Sequence, residues 1–256
     1  MKAFLGMGLL GANFVRAMLK KGDQVQVWNR TAAKARELEQ YGARAYADVA
    51  DAVKGADTIH LTLKDDDTVE EVLSVAAAGL QPGAVIIDHT TTSVQGAIDR
   101  TSKWKQRGFF YQHAPVFMGP PNALESTGYM LVSGDQALVA RVEPELSKMT
   151  GKLLNFGPEP GRAAAMKLLG NLFLVAFTTG LADTLTLAKA MHVPVSDLST
   201  LFEAWNPGAL VPARIKRMSS GDYSKAGWEL EMARKDTRIF LETAKDAGVQ
   251  DRKSVV

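Results

Sequence analysis

The sequence predicts an α/β fold: a doubly wound, mostly parallel sheet with helices on both faces, followed by an all-α C-terminal domain. Three observations predict it. Over residues 1–161, short apolar runs alternate with amphipathic segments, the pattern of strand, helix and parallel strand. A glycine-rich turn joins the first run to the first amphipathic segment. Beyond Gly161 strand-like runs stop, and long helical periodicity takes over.

Taken in order, strands are predicted over 2–5, 24–28, 58–63 and 84–88, and helices over 9–20, 32–40 and 68–78. Gly22, Gly42 and Gly79 fall just past helical segments, where a left-handed C-cap needs glycine. Ser93 reads as the N-cap of a helix over 94–107. Runs at 109–114, 129–133 and 152–156 are expected to extend the same sheet. In the second half, Met166, Leu169, Phe173, Phe177 and Leu181 recur at spacings of three and four, which predicts one apolar helical stripe. Pro194 fits the first turn of another helix, Asn206-Pro207-Gly208 marks a break, and a last amphipathic helix over 228–247 stops at Gly248. Domains are therefore expected at 1–161 and 162–256, the second opening with a long interdomain helix.

Composition narrows the class. The 256 residues carry 30 basic and 28 acidic side chains, a net charge of +2 that draws the chain neither to nucleic acid nor to an anionic membrane. There is no cysteine, so disulfides, thiolate metal sites and cysteine nucleophiles are excluded, and a cytoplasmic setting is expected. The uncharged stretch between Lys167 and Asp183 spans roughly 22 Å as a helix, short of a ~30 Å hydrocarbon core, so it is read as buried within protein.

Gly6-Met7-Gly8-Leu9-Leu10-Gly11 is a G-x-G-x-x-G that follows a strand and opens a helix, the context of a dinucleotide-binding Rossmann turn. Gly6 permits the tight turn, Gly8 lets the backbone approach a pyrophosphate, and Gly11 lets helix and strand pack. The helix N-terminus then offers free N–H groups and its positive dipole end. The second strand runs into Asn29-Arg30-Thr31 with no acidic residue to hold a ribose 2′-hydroxyl. Arg30 is suited to pair a 2′-phosphate, with Thr31 and Lys34 as further donors, so NADP(H) is the expected cofactor. Thr31 is also expected to cap the next helix.

These residues resemble the β-hydroxyacid dehydrogenase family, which includes 3-hydroxyisobutyrate dehydrogenases and glyoxylate/succinic semialdehyde reductases, and the NADP-binding domain of 6-phosphogluconate dehydrogenase. The resemblance covers nearly the whole chain. It implies that Leu63-Lys64-Asp65 stands for the family's Leu-Pro-Asp loop over the cofactor. Asp88-His89-Thr90-Thr91-Thr92 stands for the loop in which Thr90 and Thr92 meet substrate or nicotinamide. His113 to Gly119 stands for the substrate loop, with Phe117, Met118 and Gly119 against the substrate. It further implies that Lys167 is the general acid/base, that Asn171 holds substrate, and that Lys235 closes over the cofactor. Lys167 and Asn171, four apart, share one helix face, and an ammonium there suits the charge that develops on a carbonyl oxygen during reduction. The expected function is thus NADPH-dependent hydride transfer to a small carbonyl, or from the matching hydroxy compound, of β-hydroxy acid or semialdehyde type.

The chain departs from the family in three places. His113, Phe117 and Met118 replace the usual Asp, Ser and Gly of the substrate loop, so a small hydroxycarboxylic acid fits less well and a more apolar substrate fits better, with backbone N–H groups left as donors. Lys64 replaces the loop proline. Family members run on past the helix ending at Gly248, so the helical domain is expected either to lack its last elements or to be completed by a partner subunit, and a homodimer or higher homo-oligomer through this domain is expected. His60, His89 and His113 lie in or after successive strands, and are expected to be separate core or loop residues rather than a metal site. Two rivals stay open: an imine reductase, against which Lys167 argues, and a non-catalytic dinucleotide-binding module.

Overall fold

The structure is a computed structural model that describes residues 1–224 and 227–249. The C-terminal segment 251–256 lies outside the described residues. By compactness the chain divides into two units, Met1–Leu172 and Phe173–Val256.

The first unit opens with β1 (Lys2–Leu5), α1 (Leu9–Lys20), β2 (Val25–Trp28), α2 (Ala32–Arg36), β3 (Arg44–Ala45), α3 (Val49–Val53), β4 (Thr58–Leu61) and α4 (Asp66–Ala76). There follow β5 (Val85–Asp88), α5 (Val94–Gln106) and β6 (Phe110–His113). These six strands form one parallel sheet in the order β3-β2-β1-β4-β5-β6. The order reverses between β1 and β4, and the carboxyl ends at that switch point are where such sheets bind ligands. Alternation along the strands divides the core. Phe4, Val27 and Ile87 pack with Phe14, Val15 and Met18 of α1. Ala3, Leu5, Ile59, Leu61 and Ile86 pack with α3, α4 and Trp104 of α5.

The expected α/β fold with a helical C-terminal region is what the chain adopts, with differences in detail. Only 110–113 extends the parallel sheet. The runs near 129 and 152 instead form β8 (Tyr129–Val132) and β9 (Lys152–Asn155), which join β7 (Val116–Phe117) in a second, three-stranded sheet. β7 runs antiparallel to β8, and β8 parallel to β9. Between these strands lie α6 (Pro120–Glu125) and α7 (Gln136–Leu146). Gly22 and Gly42 take the expected positive φ, but Gly79 does not. Its lack of a side chain serves a close approach instead: a Cβ there would stand 1.9 Å from the Ala50 carbonyl oxygen. Thr31 occupies the N-cap position of α2, yet its side chain makes no capping bond.

Helix α8 (Arg162–Ala190) begins in the first unit, where the Ala163 amide donates to Ser133 Oγ at 2.9 Å. At 29 residues it is longer than its uncharged stretch, and by length and composition alone it could cross a membrane. The expectation of a buried helix does not hold for the single chain: Leu169, Phe173 and Phe177 of the stripe are exposed. The reason is that α8 is apolar nearly all round, with Leu168, Leu172, Leu174 and Val175 filling the turns between stripe positions. The second unit continues with α9 (Val195–Ala204), which has Pro194 at its N-cap, then α10 (Val211–Met218) and α11 (Leu230–Asp246).

Candidate active site

The turn after β1 is held on three sides. The Gly6 amide donates to Trp28 O at 2.9 Å, Thr62 Oγ1 donates to Gly6 O at 3.1 Å, and the Met7 amide donates to Asn29 Oδ1 at 2.9 Å. Gly6 adopts φ +97°, and a Cβ on it would stand 2.2 Å from Thr62 O. A Cβ on Gly11 would stand 1.9 Å from Gly6 O, so α1 meets the turn only because residue 11 is glycine. At Gly8, by contrast, a Cβ would find nothing within 4 Å. The first turn of α1 has no acidic residue, and among the described residues no side chain caps its N–H groups. The backbone thus forms an open cradle at a positive helix end, which fits a dinucleotide pyrophosphate.

A cleft of about 370 Å³ runs from this cradle across the carboxyl ends of β4 and β5. Gly8, Leu9, Leu10, Gly11, Leu63, Lys64, Thr90, Met118 and Lys167, all expected at the site, line it. Thr62 also lines it and was not anticipated, as do His89, Thr91 and Val116, which lie in the two loops that the resemblance named without giving them a role. Thr62 directly precedes the Leu63-Lys64-Asp65 motif, and that adjacency is the signal that could have found it. The Leu63 amide donates to Thr90 Oγ1 at 2.9 Å, which joins the two loops and leaves the threonine's own proton free to donate.

Thr90 is placed from below by a buried network. Its amide donates to Asp88 Oδ1 at 2.8 Å, and Asp88 Oδ2 accepts from Tyr111 Oη at 2.6 Å. Tyr111 Oη accepts from Arg100 Nε at 2.9 Å, and Arg100 pairs with Asp66 at 2.8 Å. Burial pushes the Tyr111 hydroxyl well up and keeps it a donor. His113 Nε2 donates to Thr90 O at 2.9 Å and lies 3.3 Å from Thr92 Oγ1, while its buried Nδ1 has no partner among the described residues.

Lys167, the general acid/base by resemblance, is almost fully buried on the first turns of α8. Burial lowers its pKa. Its Nζ lies 4.1 Å from the centroid of the Phe117 ring, and among the described residues no anion or hydrogen-bond acceptor engages it. Such a cation–π contact contributes about 0.5–2 kcal/mol and offsets part of the burial cost.

The other expected residues sit elsewhere. Met7 points its side chain into the core, and Asn29 braces the turn while donating from Nδ2 to Thr31 O at 3.0 Å. Arg30, Thr31 and Lys34 are exposed just beyond β2. Asn171 is half-buried one turn after Lys167 and is not among the cleft-lining residues described. The Gly119 amide donates to Asn122 Oδ1 at 2.9 Å, which leaves that N–H unfree for a substrate. Lys235 belongs to the second unit, where it pairs with Asp236 at 3.2 Å.

Two of the histidines do converge, contrary to expectation. His60 Nδ1 lies 3.0 Å from His89 Nε2, and His60 Nε2 lies 3.0 Å from Glu145 Oε1. The rings stack with Phe4 and Phe14. His89 Nδ1 faces the Ala114 carbonyl at 2.8 Å and must donate to it. With His89 held neutral by burial, its pKa lowered to about 3, Nε2 accepts from His60 Nδ1. A proton must then lie between His60 Nε2 and Glu145, because two lone pairs would otherwise meet. Burial alone would raise the Glu145 carboxyl, but its bonds and charge contacts with His60 and Lys2 hold it at about 2.

Fold and cleft together define a protein whose first unit is a nicotinamide-dinucleotide-binding domain of the oxidoreductase type. Residues 2–157 match the NAD-binding domain of 6-phosphogluconate dehydrogenase, and the chain belongs to that family, which bears out the resemblance read from its motifs. It is 29% identical over 247 residues to 3-sulfolactaldehyde reductase of Escherichia coli, covering 94% of this chain and 82% of that one. It is 29% identical over 245 residues to the human cytokine-like nuclear factor N-PAC, covering 93% of this chain and 43% of that protein. Among solved structures, Streptomyces aurantiacus imine reductase superposes with a TM-score of 0.89 at 24% identity, covering 97% and 88% of the two chains. Myxococcus stipitatus imine reductase in complex with NADP+ superposes with a TM-score of 0.87 at 22% identity, covering 98% and 89%.

Proposed function

We propose that the chain is an NADPH-dependent oxidoreductase acting on a small carbonyl compound, or on the matching hydroxy compound, with Lys167 as the general acid/base. The observation that carries this reading is the buried Lys167 ammonium in the cleft that starts at the glycine cradle, engaged by the Phe117 ring and by no anion among the described residues. The cradle and the N-terminus of α1 would hold the pyrophosphate, and Arg30 and Lys34 the 2′-phosphate. Bound there, the nicotinamide supplies the hydride. Lys167 stabilises the developing negative charge at the substrate oxygen and delivers the proton. Burial lowers its pKa toward the working range, which eases that delivery. The Thr90 hydroxyl offers a second donor. The identity to an aldehyde reductase supports a carbonyl substrate.

The test is an NADPH-oxidation screen over neutral aldehydes, semialdehydes, glyoxylate, ketones and cyclic imines, with NADPH binding measured alongside. Turnover on a carbonyl is expected. Turnover confined to imines would make the chain an imine reductase, and tight binding without turnover would make it a non-catalytic module. We further propose a homodimer that covers the exposed apolar face of α8. Light scattering should give twice the chain mass, and Phe173→Asp combined with Phe177→Asp should give a monomer.

A further inference from the structure

The pairing of Phe117 with Gly170 has no part in the reaction as proposed so far. The Phe117 ring lies over the Lys167 ammonium, and it occupies a place beside α8 that exists only because residue 170 is glycine. A Cβ at 170 would stand 2.3 Å from Phe117 Cζ and 2.9 Å from Cε1. Lys167 and Gly170 are three residues apart on one helix face, so a single ring spans both. One side of the ammonium is thereby sealed by hydrocarbon.

The surroundings continue that seal. Val116 and Met118, on either side of Phe117, are among the residues that line the cleft, whereas Phe117 itself reaches the site through its ring over Lys167. Lys64 is the other charged side chain among the lining residues described; it is 83% exposed and pairs with Asp65 at 3.3 Å. A carboxylate withdrawn from water needs charge-assisted donors of its own. Lys167 offers one ammonium, and the proposed reaction needs it at the reacting oxygen. No second buried cation lines the cleft among the described residues.

We infer that Phe117, seated on Gly170 over Lys167, is a specificity-determining residue that selects uncharged carbonyl compounds with an apolar substituent over those carrying a carboxylate beside the carbonyl. This rests on the reading of Lys167 as proton donor. A smaller residue at 117 would leave this side of the ammonium open to an anion; the ring closes it.

The test uses two probes of nearly equal shape that carry a carbonyl and differ in the charge beside it, pyruvamide and pyruvate, titrated calorimetrically into the full chain with and without NADP+. The wild type should bind the amide about ten-fold more tightly than the carboxylate, and Phe117→Ser should bring the two within about three-fold of each other. Gly170→Ala, which pushes the ring aside, should move the ratio the same way, and Phe117→Leu, which keeps an apolar cover, should preserve it. Gly170→Ala carries the test if Phe117→Ser does not fold. The inference is overturned by a wild-type preference for pyruvate, by no measurable binding of the amide, or by a ratio unmoved in the folded variants. Turnover of isobutyraldehyde and succinic semialdehyde is followed in parallel. Failure there with the binding ratio intact removes the catalytic reading alone, whereas turnover with an unmoved ratio removes the Phe117 inference alone.

Discussion

The side-chain oxygen of Asn29, at the end of β2, accepts the Met7 amide of the glycine turn at 2.9 Å. The residue expected to touch the cofactor is thus a brace for the loop that would. Asn29→Asp keeps this acceptor but brings a negative charge beside the cradle. It should leave Tm nearly unchanged and weaken NADPH binding ten-fold or more, on the order of one charge-assisted contact. Asn29→Ala strands the Met7 N–H and should cost about 1–3 kcal/mol in thermal or denaturant unfolding. NADPH binding to Asn29→Asp at wild-type strength would contradict this.

Arg30 is exposed, with no partner among the described residues. If it meets a 2′-phosphate, Arg30→Ala should weaken NADPH by about ten- to a hundred-fold and leave NADH almost untouched. Paired calorimetric titrations with the two cofactors read this, and equal losses would remove the phosphate role.

Lys167 has a pKa lowered by burial, so its charged form is disfavoured in the fold. Below the lowered pKa the folded chain bears this cost in full. As pH rises from there toward 10.5, the unfolded chain holds the extra proton and stability increases. Lys167→Met removes the cost. It should therefore raise Tm at pH 7, with a gain that shrinks toward pH 10.5, while turnover falls by about a hundred-fold or more and NADPH still binds. Undiminished turnover would end the acid/base assignment.

Glu145 behaves in the opposite sense. Its folded pKa of about 2 lies below the ordinary 4.5, so its stabilising effect is complete above 4.5 and is lost as pH falls through about 2. Glu145→Gln should cost about 2 kcal/mol at pH 7, and mutant and wild-type stabilities should converge as pH approaches 2. Denaturant unfolding at pH 7, 5 and 3 checks it; a penalty independent of pH would mean that packing, not the carboxylate, is responsible.

The main sheet was legible because β1, β2, β4 and β5 are apolar runs punctuated by glycine and flanked by helical periodicity. β3, at two residues, and α3, at five, are too short to show a period. β8 and β9 are short runs with apolar middles, and nothing in their residues reports which neighbour they pair with, so their separate sheet was not foreseen. In the site, the glycine turn was legible because its chemistry is tied to local spacing, whereas Lys167 was reached only through the family resemblance. The contacts of His60 with His89, of Arg100 with Tyr111, and of Phe117 with Lys167 join separate elements and leave no local trace. Gly170 did leave one. A glycine inside a helix costs about 1 kcal/mol against alanine, and such a cost asks for a packing partner.

The fit of the Phe117 ring into the gap at Gly170 also bears on how this cleft can be redesigned or can diverge. Enlarging residue 170 while the ring is in place forces a collision, and removing the ring while glycine stays leaves a void in the wall. Each single change is expected to be worse than the pair, a non-additivity of the kind found for residues in contact. Single exchanges in this wall therefore shift its selectivity at a cost in stability, and simultaneous exchange at both positions is the route that reshapes it while keeping the packing.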